Sequence, residues 1–145
     1  MNRVTDEGLA LIRVFEGFRA KPYLDPVGIR SIGFGHVILP GEHFTTITEA
    51  QATELMLRDI ETKKGWIAYY IHRLLNDNQY SALMSLVYNL GVTPLTKTLG
   101  RKLNDGNMTG CAQEFTRWVY AGDKILPGLV KRRAAEKALF LQPVA

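Results

Sequence analysis

The sequence predicts an α+β fold, with a small β-hairpin lobe near the N-terminus, a larger helical lobe, and a cleft between them bridged by one long helix. Three observations predict it. Glycine, proline and short strand-like runs crowd between about residues 18 and 45, whereas helix caps dominate after residue 48. The 145 residues are enough for one domain (1–145) with a core, its helical lobe built from 1–16 and 48–145.

Thr5 can cap a first helix, with Asp6 and Glu7 setting negative charge against the first-turn amides. Leu9, Ile12 and Phe15 give that helix an apolar face, and Gly17 predicts its stop, which leaves Glu16 at the C-terminus. Asp25-Pro26-Val27-Gly28 predicts a type I turn, with Pro second and Gly fourth. Its hairpin arms are Pro22–Asp25 and Ile29–Phe34, and this is the only sheet the pattern predicts. Thr48-Glu49-Ala50-Gln51 reads as a capping box opening a long helix to about Leu75, with Gly65 able to bend or weaken it. Asn76-Asp77-Asn78-Gln79 reads as a second box, for a helix that runs to Leu90 and stops at Gly91. Thr93-Pro94 starts a short helix ending near Asn104-Asp105-Gly106. Two more helices are expected, from Met108 to about Tyr120 and from Pro127 to Leu141.

The composition is that of a globular chain, without repeats or low-complexity segments. Cys111 stands alone, which excludes an internal disulfide and fits folding in a reducing cytoplasm. Met1 to Glu7 lack the apolar stretch of a signal peptide, and no apolar run approaches the roughly 18 residues of a membrane span. The net charge of +4 is uneven: residues 1–116 hold 12 Lys/Arg and 12 Asp/Glu, residues 117–145 hold 6 and 2. A basic end implies an anionic partner: nucleic acid, an anionic membrane or an acidic cell wall.

Glu16 at a helix end and Asp25 at the mouth of a turn can converge across a cleft from two rigid supports. One protonated and one ionised carboxyl group is the pairing that cleaves a glycosidic bond. In a chain with 14 carboxylates, though, the spacing alone reads more readily as two solvated surface acids. The surrounding residues change that reading. The run from Glu16 to His36, Glu-Gly-Phe-Arg-Ala-Lys-Pro-Tyr-Leu-Asp-Pro-Val-Gly-Ile-Arg-Ser-Ile-Gly-Phe-Gly-His, closely resembles the active-site segment of phage-type lysozymes. That family has a Glu, eight residues, an Asp, five residues, a Thr, and then Ile-Gly-x-Gly-His. The resemblance continues in Asn78-Gln79-Tyr80-Ser81-Ala82-Leu83, Tyr88-Asn89-Leu90-Gly91, Arg117-Trp118-Val119-Tyr120-Ala121-Gly122 and Leu126-Pro127-Gly128-Leu129 with Arg132, Arg133 and Glu136.

The resemblance implies a lysozyme-like fold and a muramidase without metal or cofactor. It would cut peptidoglycan between N-acetylmuramic acid and N-acetylglucosamine. It implies an inverting mechanism, with Glu16 as general acid and Asp25 roughly 6.5–9.5 Å away supporting water attack. Ser31 stands where the family has Thr; it keeps the hydroxyl that holds the attacking water but lacks the methyl that stiffens the rotamer. Arg30 takes a position that is often aromatic in the family, so contacts with one saccharide subsite differ. His36 is expected to be structural and to pair with Asp59. His36, Glu42 and His43 form no zinc-type motif, and Gly28, Gly33 and Gly35 form no phosphate loop. Gly35 instead fits a close approach of backbone to sugar. Asn89 can hydrogen-bond a saccharide, and Trp118 can stack on one or belong to the core. Cys111 fits a small buried apolar residue.

Lys131, Arg132, Arg133 and Lys137 are expected on a solvated face of the last helix, with Leu129, Val130, Ala134, Ala138 and Leu141 packing inward. That basic face can draw the protein to lipopolysaccharide or an anionic membrane. Two other functions compete: a non-catalytic cationic wall- or membrane-binding protein, which has no need of Glu16, Asp25 and Ser31, and a nucleic-acid-binding domain, for which no motif is present. A monomer is expected. It would be held in the host cytoplasm until a membrane pore opens and would then reach the periplasmic wall.

Overall fold

A computed structural model describes residues 2–144. Helix α1 (Asp6–Glu16) leads into strands β1 (Arg19–Leu24), β2 (Arg30–Gly33) and β3 (His36–Val37), followed by the long helix α2 (Glu49–Tyr70) and α3 (Asp77–Leu90). A 3-10 turn at Thr93–Thr96 precedes α4 (Thr98–Asn104) and α5 (Met108–Phe115); strands β4 (Tyr120–Ala121) and β5 (Lys124–Ile125) and helix α6 (Pro127–Leu141) complete the order. The class is the expected α+β. No helix among the described residues is long and apolar enough to cross a membrane.

The helix starts follow from local chemistry. The Thr5 hydroxyl accepts from the Gly8 N–H at 3.0 Å. Thr48 with Gln51 and Asn76 with Gln79 close two reciprocal capping boxes at the heads of α2 and α3. The turn between β1 and β2 is closed by the Gly28 N–H donating to the Asp25 carbonyl at 2.9 Å. The sheet is antiparallel in the order β1-β2-β3, with Tyr23 opposite Ser31 and Ile32 opposite His36. A bulge in β1 between Arg19 and Tyr23 breaks the ladder, and there the Ala20 carbonyl accepts from the Ile47 N–H at 2.9 Å. That bond ties the approach to α2 onto the sheet.

One core runs from Ile32, Phe34, Ala52 and Met56 beneath the sheet to Leu83, Val87, Leu103, Phe115 and Phe140 around α3. Helix α3 packs against α1, α2 and α6 and buries residues on nearly all sides. Cys111 is fully buried in this core, and desolvation pushes its thiol up to about 12.

Four expectations are corrected. First, α2 ends at Tyr70 rather than near Leu75. The Asn104 amide donates to the Tyr70 carbonyl at 2.9 Å, and its oxygen accepts from the His72 N–H at 2.8 Å, so a residue 34 positions away stops the helix. Gly65 does not interrupt it. Second, α5 ends at Phe115, well short of Tyr120. Third, the first sheet is not alone, because β4 and β5 form a second, two-stranded one. Gly122, at φ 63°, supplies the left-handed residue this tight turn requires.

The fourth correction concerns α6. Its buried face is Arg132, Arg133, Glu136, Leu139 and Phe140, at the spacing of an apolar stripe but with three charged residues in it. Val130, Ala134, Ala138 and Leu141, expected inside, are exposed. The arginines face inward because Glu136, Glu16 and the end of α3 supply the partners that a buried guanidinium needs.

The Asn104 clamp generates a prediction. Asn104→Ala should lower unfolding free energy by about 1–2 kcal/mol, as for the loss of a helix cap. A denaturant midpoint equal to wild type would refute the clamp.

Candidate active site

The end of α1, the β1–β2 hairpin and the start of α6 enclose a cleft of about 540 Å³, lined by Glu16, Arg19, Tyr23, Asp25, Asn89 and Arg132 among others. Glu16 occupies the last residue of α1; Gly17 makes the final helical bond, its N–H donating to the Arg13 carbonyl at 2.9 Å, and its φ of 73° then turns the chain out of the helix. Its side chain keeps 16% of its exposure, and Oε2 accepts from Arg132 at 2.6 Å. Gly35 stands against the other oxygen: a Cβ there would collide with Glu16 Oε1. Its φ of 75° is also one that side-chain-bearing residues rarely adopt. The close approach that requires glycine at this position is therefore to the Glu16 carboxyl group, whereas the sequence reading placed sugar there.

Asp25 opens the hairpin turn. Its Oδ1 accepts from the Val27 N–H at 2.9 Å and the Ile29 N–H at 2.8 Å, which clamps the carboxylate to its own turn. Oδ2 has no hydrogen-bond partner among the described residues. Tyr23, between the two acids, has its phenol held above its ordinary value, mainly by burial and then by the negative charge of Glu16. Ser31 is buried on β2 and does not line the cleft; its hydroxyl donates to the Ile29 carbonyl at a long 3.4 Å.

Behind the cleft lies a cluster that reading by pattern missed. Arg132 donates to Glu16, to the Ser85 carbonyl at 3.1 Å, and through Nε toward Glu136 Oε2 at 3.3 Å. Arg133 donates to Asn89 Oδ1 at 2.8 Å and to the Trp118 carbonyl at 3.3 Å. Glu136, fully buried, takes the Ser85 hydroxyl at 2.5 Å and pairs with Arg133 Nε at 2.6 Å. That last contact is an ion pair without an aligned hydrogen bond, because Arg133 Nε and Glu136 Oε1 lack partners of good geometry. Desolvation pushes the Glu136 carboxyl upward, against the pull of Arg133 and Arg132. The available signal was the spacing: a Glu three and four residues after two arginines on one helix can engage both.

Asn89 thus reaches the cleft, held by Arg133. Trp118 does not; it lines a separate depression with Lys97, Leu99 and Arg117 and packs partly against the core. His36 meets Asp59 at 2.7 Å through Nδ1, as expected, and also Glu42 at 2.9 Å through Nε2. Both ring nitrogens are committed, and the pair ties β3 to α2.

Residues 13–136 match the phage lysozyme family. The chain belongs to that family. It is 40% identical to an endolysin of Acyrthosiphon pisum secondary endosymbiont phage 1, over 94% of this chain and 97% of that one. It is 36% identical to the endolysin of Salmonella phage P22, over 97% and 99%. In three dimensions it superposes on the muramidase domain of SpmX from Asticaccaulis excentricus, with a TM-score of 0.88 and 30% identity, over 99% of this chain and 100% of that one.

The His36 site sets a pH dependence. The Asp59 hydrogen bond raises the imidazole above its ordinary 6.5, burial opposes it, and Glu42 adds to it. Stability from the raised His36 is therefore complete below 6.5 and is lost as pH rises through the folded value. Glu42, lowered by the Leu39 N–H and by His36, contributes above its ordinary 4.5 and fades as pH falls through its folded value. His36→Asn should cost roughly 2 kcal/mol near pH 5.5, with the gap to wild type narrowing in alkali. A gap independent of pH in urea titrations would refute the charged pair.

Proposed function

We propose that this chain hydrolyses the β-1,4 bond between N-acetylmuramic acid and N-acetylglucosamine in peptidoglycan by inversion, with Glu16 as general acid and Asp25 as the carboxylate that activates water. As a member of its family, the chain is a peptidoglycan-hydrolysing enzyme of the endolysin type. The observation that carries the mechanistic reading is the common cleft: Glu16 and Asp25 arrive from a helix end and a hairpin turn and line one depression.

Glu16, fixed by Arg132 on one oxygen and hemmed by Gly35 at the other, donates its proton to the leaving glycosidic oxygen. Asp25 Oδ2, with Oδ1 already taken by its turn, polarises a water that attacks the anomeric carbon from the opposite face. A part for the Ser31 hydroxyl in holding this water requires it to leave the Ile29 carbonyl, a long and weak tether, and to reach the cleft from its buried place on β2. Asn89 contacts the saccharide, Gly35 serves the Glu16 carboxyl group instead of the sugar, and Trp118 would meet only a strand extending beyond the cleft. No step requires a metal or cofactor. The protein acts as a monomer, kept in the host cytoplasm until a membrane pore admits it to the wall.

Contact with lipopolysaccharide or an anionic membrane falls to Lys131 and Lys137, since Arg132 and Arg133 are internal. Lys131→Gln with Lys137→Gln should reduce retention on intact Gram-negative cells at low salt while sparing hydrolysis of purified wall; unchanged retention would dismiss this contact.

Clearing of permeabilised Gram-negative cells tests the chemistry. Glu16→Gln and Asp25→Asn should each lower the rate roughly 10²–10⁴-fold. Proton NMR of the first product should show the α-anomer, as inversion at a β bond requires. Full activity in Glu16→Gln, or a β-anomer first, would sink the proposal.

A further inference from the structure

A guanidinium 2.6 Å from Glu16 creates a problem for an acid catalyst. An adjacent positive charge favours the ionised carboxylate, yet the donor must begin the reaction protonated. The surroundings reinforce the problem. Arg132 and, further off, Arg133 face Glu16 from α6; Arg19 and Tyr23 line the same cleft from β1; Lys63 from α2 and Tyr88 from α3 lie within electrostatic reach. On the near side, Asp25 is the negative charge that shares the cleft.

Glu136 stands behind this cationic wall. It is fully buried, as are Arg133 at 1% and Arg132 at 4% exposure. Its two oxygens receive the Ser85 hydroxyl, Arg132 Nε, Arg133 Nη2 and the ion-paired Arg133 Nε. Every one of these partners is a donor, so the site is built for a carboxylate. One anion between two cations leaves a net charge of +1 behind Glu16 instead of +2. The same contacts aim Arg132 at Glu16 and Arg133 at Asn89.

We infer that Glu136 is a positioning residue for the proton-transfer step: it holds Arg132 on Glu16 and Arg133 on Asn89, and its negative charge offsets one of the two guanidinium groups behind the proton donor. This rests on Glu16 being the proton donor. Glu136 touches no substrate and acts only through the two arginines.

The test is the pH profile of kcat/KM on purified peptidoglycan. Glu136→Gln keeps the side-chain shape and removes the charge. Its basic limb should move to lower pH by about one unit or more, leaving a larger deficit at neutral than at acid pH. Removing one cation as well, in Glu136→Gln with Arg133→Gln, should return the limb toward its wild-type position even where kcat falls through loss of the Asn89 contact. A uniform fall at every pH, with the limb unmoved, would overturn the inference and leave Glu136 a packing residue. If Glu136→Gln does not fold, Arg133→Gln alone decides the matter: with one cation fewer behind Glu16 its basic limb should move to higher pH, and an unmoved limb would overturn the inference. Glu16→Gln separates the two readings. An active Glu16→Gln removes the proposed function itself, whereas an inactive one beside an unmoved Glu136→Gln limb removes the inference alone.

Discussion

Arg132 sits where three helices meet, with one carboxylate from the end of α1 and another from its own helix competing for its nitrogens. That contact joins α1, α3 and α6. It determines which side of α6 faces inward, holds α6 against Ser85 on α3, and fixes the terminal side chain of α1 at the edge of the cleft. Buried ions of this kind lose hydration on folding, and replacing the whole group with apolar residues is often no less stable. Removing one member is different, because it strands an unpaired charge. The cluster therefore makes little sense as a source of stability. It makes sense as a way of giving the Glu16 carboxyl group in the cleft a defined orientation and a defined electrostatic setting.

The other half of the cleft is held by different means. The hairpin is a small sheet whose strands are short and whose outer face is solvated. It is tied to the helical lobe by a few specific bonds: His36 to Asp59, the Tyr88 hydroxyl to the Phe34 carbonyl at 2.6 Å, and Ile47 to Ala20. Two of these involve α2 or the loop entering it, and the third reaches from α3. The two carboxyl groups of the cleft thus rest on supports of unequal stiffness. Glu16 is fixed by a buried network, whereas Asp25 is clamped only to its own exposed turn. A polymer threading between them meets one rigid wall and one that can adjust.

Much of this was legible in the sequence wherever the controlling interaction is local. Both capping boxes, the Thr5 cap, the Gly17 stop and the Asp25–Gly28 turn involve residues within four positions of each other, and all form as expected. The errors arose where a distant residue decides. Asn104 stops α2 from 34 positions away, which no reading of α2 itself can foresee. The β4–β5 ribbon has two residues per strand, too few for any periodicity to register. In α6 the buried stripe has the right spacing, but its occupants are charged, so a rule that sends charge outward turns the helix the wrong way round. The candidate site divides along the same line. Glu16, Asp25 and the His36–Asp59 pair could be named from motif, whereas the arginines and Glu136 required their partners to be seen.

The lone cysteine has a consequence of another kind. Only the thiolate attacks disulfides and reacts readily with oxidants. Cys111 is sealed inside the core, and its thiol resists ionisation until about pH 12, so almost none of it is nucleophilic at neutrality. The folded protein therefore carries a sulfur atom that behaves as hydrocarbon. It can pass from a reducing to an oxidising compartment without acquiring a mixed disulfide or a covalent twin.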